Sequence, residues 1–242
     1  MELTEINTLL EKLSNAHGIS SRESEIAKII RAEIADYVDE IRTDKMGNLI
    51  AVKKGGDFKI MLAAHMDEIG MMVQFVDDHG FIRFVAVGGW YNPVMVGQRV
   101  ILHGEKGEVY GVLGNKPPHV MTEEDKKKPI DMADLFIDVG AKSPEEVEAL
   151  GITVGTSVTM DRQYTRLAGT TVTGKAMDNR AGCAMLIGAL KEMKTSHTIY
   201  AVFTVQEEVG LKGAKTSSFT LDPDVAIATD VTIPGDSPGV ER

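Results

Sequence analysis

The most constraining feature of this 242-residue chain is a set of four apolar, strand-like runs that each lead into metal-binding or acid/base residues. The four segments are Lys59–Asp67 (KIMLAAHMD), Thr171–Asp178 (TVTGKAMD), Thr198–Glu208 (TIYAVFTVQEE) and Val225–Asp230 (VAIATD). In an open α/β sheet, ligands and chemistry collect just beyond the carboxyl ends of the strands. We therefore expect the residues that close these runs to meet at one edge of one sheet. They are His65, Asp67, Asp178, Glu207, Glu208 and Asp230.

The first part of the chain carries helix signals followed by strand signals. An amphipathic helix is predicted at Glu2–Leu13, and the pattern Ser20-x-x-Glu23 is that of a capping box that opens a second helix. Strands are then predicted at Glu40–Thr43, Leu49–Lys53 and Ile60–Ala64. This order of elements is typical of an α/β domain.

The middle of the chain reads as an all-β block inserted into that α/β domain. Short strands separated by turn residues recur at an even spacing, which favours a small β-barrel or sandwich. They are predicted at Met71–Val76, Phe81–Val87, Arg99–His103 and Val109–Leu113. After about residue 166 the pattern becomes βαβ, with a strand at Thr171–Gly174 before a helix at Asn179–Lys194. We therefore expect a catalytic domain at 1–67 and 166–242, incomplete in its second part, around an inserted barrel-like domain at 68–165.

Charge and cysteine content limit the partners and the compartment. Lys plus Arg number 26 and Asp plus Glu number 36, so the net charge of −10 argues against nucleic acid and anionic membranes as partners. The single cysteine, Cys183, excludes an internal disulfide and suits a reducing compartment. The N-terminus lacks the pattern of a signal peptide, and no apolar run approaches the roughly 18 residues that span a bilayer. We expect a cytoplasmic protein.

The segment His65-x-Asp67 places an imidazole and a carboxylate on one face of a strand end, because residues i and i+2 of a strand share a face. The imidazole could bind a metal through one ring nitrogen while the carboxylate holds the other. Each motif also has an ordinary explanation when it is taken alone. A strand-end histidine beside a solvated aspartate, a helix N-cap at Asp178 and a turn residue at Asp230 are all common. Their combination at one sheet edge is what favours a metal site.

Glu207 and Glu208 are adjacent acids that follow an apolar strand. On an extended chain they would face opposite ways, so that one could bind metal while the other faces the substrate, although an ordinary acidic turn is the alternative. Histidine with carboxylates suits Zn²⁺, Co²⁺ or Mn²⁺ better than Ca²⁺. In two-metal hydrolases the ions lie about 3.5–4 Å apart.

The remaining histidines and the cysteine carry weaker signals. Cys183 lies among apolar helix residues and is predicted to be part of the core. Five further histidines lie in turns, loops or strand starts without evident partners, and we expect them to be structural or solvent-exposed. They are His17, His79, His103, His119 and His197.

At these residues the sequence resembles the M42 family of metallo-aminopeptidases, the glutamyl and tetrahedral aminopeptidases. The matching stretches are AAHMDEIG (63–70), GKAMDNRAG (174–182), VQEEVGLKGA (205–214), ATDVT (228–232) and LFIDVGAKSPEEVEALGI (135–152). The resemblance implies an α/β/α zinc-peptidase catalytic domain with a mixed sheet and an inserted small β-barrel that serves dimerisation. It implies hydrolysis that removes N-terminal residues from peptides with a free N-terminus.

The resemblance also implies a ligand set for two divalent ions per subunit, zinc or cobalt and alternatively manganese. His65, Asp178 and Asp230 would bind one ion, and Asp178 would bridge to a second ion that Glu208 also holds. A further histidine ligand lies near the C-terminus of the family and has no candidate before Arg242, so we expect a C-terminally truncated chain.

Two further roles follow from the resemblance. Asp67 would orient His65, and Glu207 would be the general base.

The resemblance also implies a backbone feature and an oligomeric state. A cis peptide is expected between Asp178 and Asn179. Family members form dimers that assemble into a hollow dodecamer, so we expect a homo-oligomer.

Three alternatives remain open from the sequence. One is a metal-binding assembly fragment that is catalytically impaired. Another is a metal-independent glycoside hydrolase with paired carboxylates, although one Trp and 5% aromatic residues suit a sugar cleft poorly. The last is a related metallo-deacylase or dipeptidase.

Overall fold

The computed structural model describes residues 1–240 of the chain and divides into two compact units. The first unit, here called the sheet unit, contains 1–16, 23–67 and 176–240. The second, here called the barrel unit, contains 17–22 and 68–175. Among the described residues, no helix is both long and apolar enough to cross a membrane.

The sheet unit is built on a five-stranded mixed sheet with the order β1-β2-β12-β3-β13. Strand β3 runs parallel to β12 and to β13, whereas β1, β2 and β12 pair antiparallel. Its helices are α1 (Leu3–Asn15), α2 (Ser24–Ile34), α4 (Met177–Glu192) and α5 (Lys212–Leu221), and its strands are β1 (Glu40–Thr43), β2 (Leu49–Lys53), β3 (Gly56–His65), β12 (His197–Thr204) and β13 (Val225–Ala228).

Helices pack on both faces of this sheet at its central strands. Along β2, Leu49 and Ala51 pack into the core with α1, α2 and α4, while Ile50 and Val52 point to the opposite face, where Leu221 of α5 packs. Alternate residues of a strand face opposite sides, so a strand with four consecutive buried residues must lie between two layers. The unit is therefore the expected α/β/α arrangement.

The barrel unit contains a closed six-stranded barrel with the order β4-β5-β8-β7-β6-β9. Its core is built from Met71, Ile82, Leu102, Ile137 and Val158, which are all buried. The barrel strands are β4 (Gly70–Val76), β5 (Ile82–Val87), β6 (Arg99–Gly104), β7 (Gly107–Gly114), β8 (Phe136–Asp138) and β9 (Ser157–Met160), with α3 (Pro144–Ala149) between β8 and β9 and the pair β10 (Thr165–Arg166) and β11 (Val172–Thr173) after them. The expectation of a barrel or sandwich is thereby resolved as a barrel.

Two local predictions are wrong. The run Thr171–Gly174 is not a strand of the five-stranded sheet, because β11 pairs only with β10 in a two-stranded ribbon. The capping box Ser20-x-x-Glu23 does not open α2, because the helix begins at Ser24 and its N-cap residue, Glu23, makes no capping hydrogen bond through its side chain. The carboxylate of Glu23 instead accepts a hydrogen bond from the N–H of Gln206, in the loop after β12.

Candidate metal centre

The predicted site residues converge on the imidazole of His65, which ends β3 and is 3% exposed. Its Nε2 lies 2.9 Å from Asp178 Oδ1, 3.8 Å from Asp230 Oδ1 and 3.9 Å from Glu207 Oε2. One carboxylate comes from α4, one follows β13 and one follows β12. Because β3, β12 and β13 are parallel, their carboxyl ends lie at one edge of the sheet. Ligands of open α/β sheets bind at this edge.

Asp178 is carried to this edge by a different element from the predicted one. It lies at the start of α4 rather than behind a strand of the sheet. The peptide between Asp178 and Asn179 is cis, as the resemblance implied. The Asn179 side chain donates from Nδ2 to the carbonyl of Thr229 at 2.8 Å, and its Oδ1 accepts from the N–H of Gly182. These bonds connect the first turn of α4 to the residue before Asp230.

Asp67 is fully buried and holds several parts of the site together. Its Oδ1 accepts a hydrogen bond from the N–H of Glu207 at 3.1 Å, and its Oδ2 accepts from the N–H of Glu208 at 3.2 Å. Oδ1 also lies 3.5 Å from His65 Nδ1, which is 3.2 Å from the Asp67 carbonyl oxygen. The carboxylate therefore fixes both the loop after β12 and the imidazole ring.

The loop that carries the adjacent acids is not the extended chain that was predicted. Gln206 has a φ of 54°, which turns the chain after β12 and aims the N–H groups of Glu207 and Glu208 at Asp67. The acids consequently do not face opposite ways, and each offers an oxygen to the same space beside His65.

Two residues outside the predicted site support this loop. The Glu23 carboxylate accepts the N–H of Gln206 at 3.1 Å. The Asn48 side chain accepts the N–H of Val205 at 3.0 Å and donates to the carbonyl of Gly213 at 3.0 Å. Glu23 and Asn48 are far from the loop in sequence, so no local sequence pattern predicts that they hydrogen-bond to it.

Electrostatics at the site are dominated by burial and by converging carboxylates. Burial alone would lower the pKa of His65, but hydrogen bonds to Asp178 and Asp67 raise it to about 10. Burial raises the pKa of Glu208 to about 7, with neighbouring carboxylates adding to the effect. Burial also raises the pKa of Glu207, again aided by nearby acids and opposed by His65. A bound cation would displace the His65 proton and offset this repulsion.

The donor atoms form two groups that share His65. One contains His65, Asp178 and Asp230, the other contains His65, Glu207 and Glu208, and within each group the donor atoms lie within 4.8 Å of one another. An imidazole with several carboxylates is a donor set that suits Zn²⁺, Co²⁺ or Mn²⁺. The residues present therefore fit a divalent cation.

Cys183 and two of the remaining histidines make contacts within their units. Cys183 is fully buried, as predicted, and its thiol donates to the carbonyl of His65 at 3.2 Å. Burial raises the pKa of this thiol to about 12. The expectation that His17 and His103 have no partners is wrong, because their rings contact each other in the barrel unit, with centroids 3.9 Å apart.

The fold matches that of known aminopeptidases. An aminopeptidase from the archaeon Desulfurococcus kamchatkensis superposes with a TM-score of 0.93 at 41% identity over 99% of this chain and 66% of its own length. The TET1 peptidase of Pyrococcus horikoshii, which can assemble into a tetrahedron or a large octahedral shell, gives 0.87 at 36% identity over 98% and 72%.

Sequence comparison names the family. The family model for M42 glutamyl aminopeptidases matches residues 47–242. A lysyl aminopeptidase of Pyrococcus furiosus is 39% identical over 93% of this chain and 66% of its own length. The chain belongs to the M42 peptidase family, and it spans about two thirds of the length of that relative.

Proposed function

We propose that this chain acts as a metal-dependent aminopeptidase that removes N-terminal residues from peptides. The observation that carries the proposal is the convergence of three carboxylates, from separate elements, on the Nε2 atom of His65. Membership of the M42 family supports the reaction class.

One of the two donor groups supplies the ligands proposed for the first ion, and the family resemblance supplies those proposed for the second. His65, Asp178 and Asp230 would hold one divalent ion, and Asp178 and Glu208 would hold a second. Zinc or cobalt suits this mixture of imidazole and carboxylate, and manganese is the alternative. The bound ions would supply Lewis-acid polarisation of the scissile carbonyl and acidify the attacking water.

The remaining chemistry belongs to protein side chains. Glu207 is the general base: it takes the proton of the attacking water and returns it to the leaving amine. Its raised pKa, caused first by burial, brings it closer to the working pH of such a base. Asp67 is a positioning residue, since it holds the imidazole of His65 and the N–H of Glu207. The free α-amine of the substrate is a cation that the surrounding carboxylates would attract.

The barrel unit has a separate role in this proposal. We assign residues 68–165, which make up most of the barrel unit, to an inserted dimerisation domain between the catalytic segments 1–67 and 166–242 that the sequence predicts. Dimers would assemble further into a dodecamer, and the support is that TET1 of P. horikoshii can assemble into a tetrahedron or a large octahedral shell. The proposed location is the cytoplasm, with no nucleic-acid or membrane partner.

The decisive test is the Glu207→Gln substitution, assayed on a panel of aminoacyl-p-nitroanilides with and without a chelator. The variant should retain the metal content of the wild type and lose about 10²- to 10⁴-fold in turnover, the usual contribution of a general base. Glu11→Gln, an exposed acid of α1, is the matched control and should keep wild-type rates. A Glu207→Gln rate close to that of the control would refute the assignment.

The alternatives give different results in the same assay. Chelator-insensitive cleavage of a β-glucan would indicate a glycoside hydrolase. Cleavage of N-acetylated peptides alone would indicate a deacylase or dipeptidase. Bound metal without turnover on any substrate would indicate a non-catalytic scaffold.

A further inference from the structure

The barrel unit contains a second group of metal-ligating side chains, which the proposed peptidase reaction does not use. It consists of His17, His103 and Glu108, and the hydroxyl of Thr159 contacts both histidines. His17 Nε2 lies 3.1 Å from Glu108 Oε1. One ring nitrogen from each histidine and one carboxylate oxygen lie within 4.8 Å of one another.

The barrel register brings these side chains together. His103 of β6 pairs directly with Glu108 of β7, so their side chains share a face. Thr159 of β9 pairs with Ile101, two residues before His103, and is therefore a diagonal neighbour on that face. His17 comes from the segment 17–22, which belongs to the same unit. Three separate stretches of chain thus supply the group.

The Thr159 hydroxyl is placed to orient both imidazoles. It is 1% exposed, and its Oγ1 lies 3.1 Å from His17 Nδ1 and 2.9 Å from His103 Nε2. A hydroxyl oxygen has two acceptor lone pairs, so Thr159 can accept an N–H from each ring. In that state a neutral His103 has its lone pair on Nδ1, and His17 Nε2 can bind a cation in place of the proton that it shares with Glu108 Oε1. This is the arrangement of metal-binding histidines, whose second ring nitrogen is held by another polar group.

We propose that His17, His103 and Glu108 bind a divalent transition-metal ion, for which Zn²⁺ is the probe. Imidazole and carboxylate ligands suit this class of ion. Bonds of about 2.0–2.2 Å in a tetrahedral site place neighbouring ligand atoms roughly 3.3–3.6 Å apart, slightly more than the observed 3.1 Å between His17 Nε2 and Glu108 Oε1.

The exposure of the side chains shows how an ion reaches the site, and the segments that carry the ligands show what the ion would stabilise. The His17 side chain is 16% exposed and that of Glu108 is 48% exposed, so an ion can enter from the Glu108 side and keep a water ligand there. The bound ion cross-links the segment 17–22 to the β6–β7 hairpin. It therefore stabilises the barrel unit and takes no part in hydrolysis.

The test localises zinc in crystals of the full chain by anomalous diffraction at the zinc edge. Calorimetric titration of the metal-depleted chain gives the affinity. Wild type should show an anomalous peak between His17 and His103, separate from any peak at His65, and His103→Gln should lose that peak alone. His79→Gln is the control, because His79 is an exposed histidine of the same unit outside the group.

A second variant keeps the proposal testable if His103→Gln does not fold. Thr159→Val preserves the shape of the side chain and leaves all three ligands in place. It should weaken zinc binding at this site by about 10- to 100-fold, the usual effect of removing a group that orients a metal-binding histidine. Absence of the peak in wild type at saturating zinc, or unchanged affinity in both Thr159→Val and His103→Gln, would overturn the proposal.

Discussion

Replacing Asp67 with Asn tests whether one buried carboxylate organises the proposed centre. The carboxylate accepts one hydrogen bond on each oxygen, from the N–H groups of Glu207 and Glu208, and lies against His65. An asparagine keeps one acceptor oxygen and points its amide NH₂ at the other N–H. A donor then faces a donor in a fully buried position.

The expected cost follows from these contacts. Hydrogen bonds to a charged group contribute about 1.5–3 kcal/mol, and an unsatisfied buried N–H costs about 1–3 kcal/mol. Loss of one charged acceptor and exposure of one donor to another donor therefore predict that Asp67→Asn lowers the free energy of unfolding by roughly 3 kcal/mol. Relief of repulsion with Glu207 offsets little of this, because that side chain is 25% exposed and partly screened.

The assay is equilibrium urea unfolding in the presence of chelator, so that metal binding does not enter the comparison. Asp36→Asn, an exposed aspartate of the sheet unit, is the control and should change stability by less than about 0.5 kcal/mol. An Asp67→Asn protein as stable as this control would refute the view that Asp67 holds the loop and the ring.

Two further perturbations test the packing of each unit. In the barrel unit, Lys175 Nζ makes a buried ion pair with Glu68 at 2.7 and 2.9 Å, so Lys175→Met should destabilise the chain by about 3–5 kcal/mol in the same unfolding assay. The double variant with Glu68→Leu should recover part of the loss, because an apolar pair replaces an uncompensated charge. In the sheet unit, the Cys183 thiol, whose pKa burial raises to about 12, should stay unlabelled by an aromatic disulfide reagent at pH 8 and react fully after denaturation.

Each of these predictions has a result that contradicts it. A Lys175→Met variant within about 0.5 kcal/mol of wild type would mean that the ion pair is not buried in solution. Rapid labelling of Cys183 under native conditions would mean that the contact with the His65 carbonyl is open to solvent.

The sequence predicts well the strands whose burial pattern is local. Strands β1 and β2 have the predicted bounds, since alternation or continuous apolar character marks each of them. Strands β8 and β9 were not predicted, because they have three and four residues and are defined by partners far along the chain. Strand β10 was not predicted either, and the run that contains β11 was assigned to the wrong sheet, because two residues carry no information about which sheet they join.

The proposed site shows the same division. His65 ends β3 and Asp230 follows the parallel strand β13, so both could be predicted from their positions at strand ends. The position of Asp178 at the start of α4 and the turn at Gln206 could not be predicted from the sequence, because they depend on tertiary contacts. The support from Glu23 was read as a helix cap, which is the local use of a residue whose actual partner lies 183 positions away.

The most direct test of the account is the metal content of an Asp178→Asn variant, measured by mass spectrometry after equilibration with Zn²⁺ or Co²⁺ and removal of free ions. Asp178 is assigned as the bridge, so the variant should lose both ions of the His65 cluster and all aminopeptidase activity, while Asp36→Asn retains both. An Asp178→Asn protein with the full wild-type metal content and rate would contradict the proposed centre.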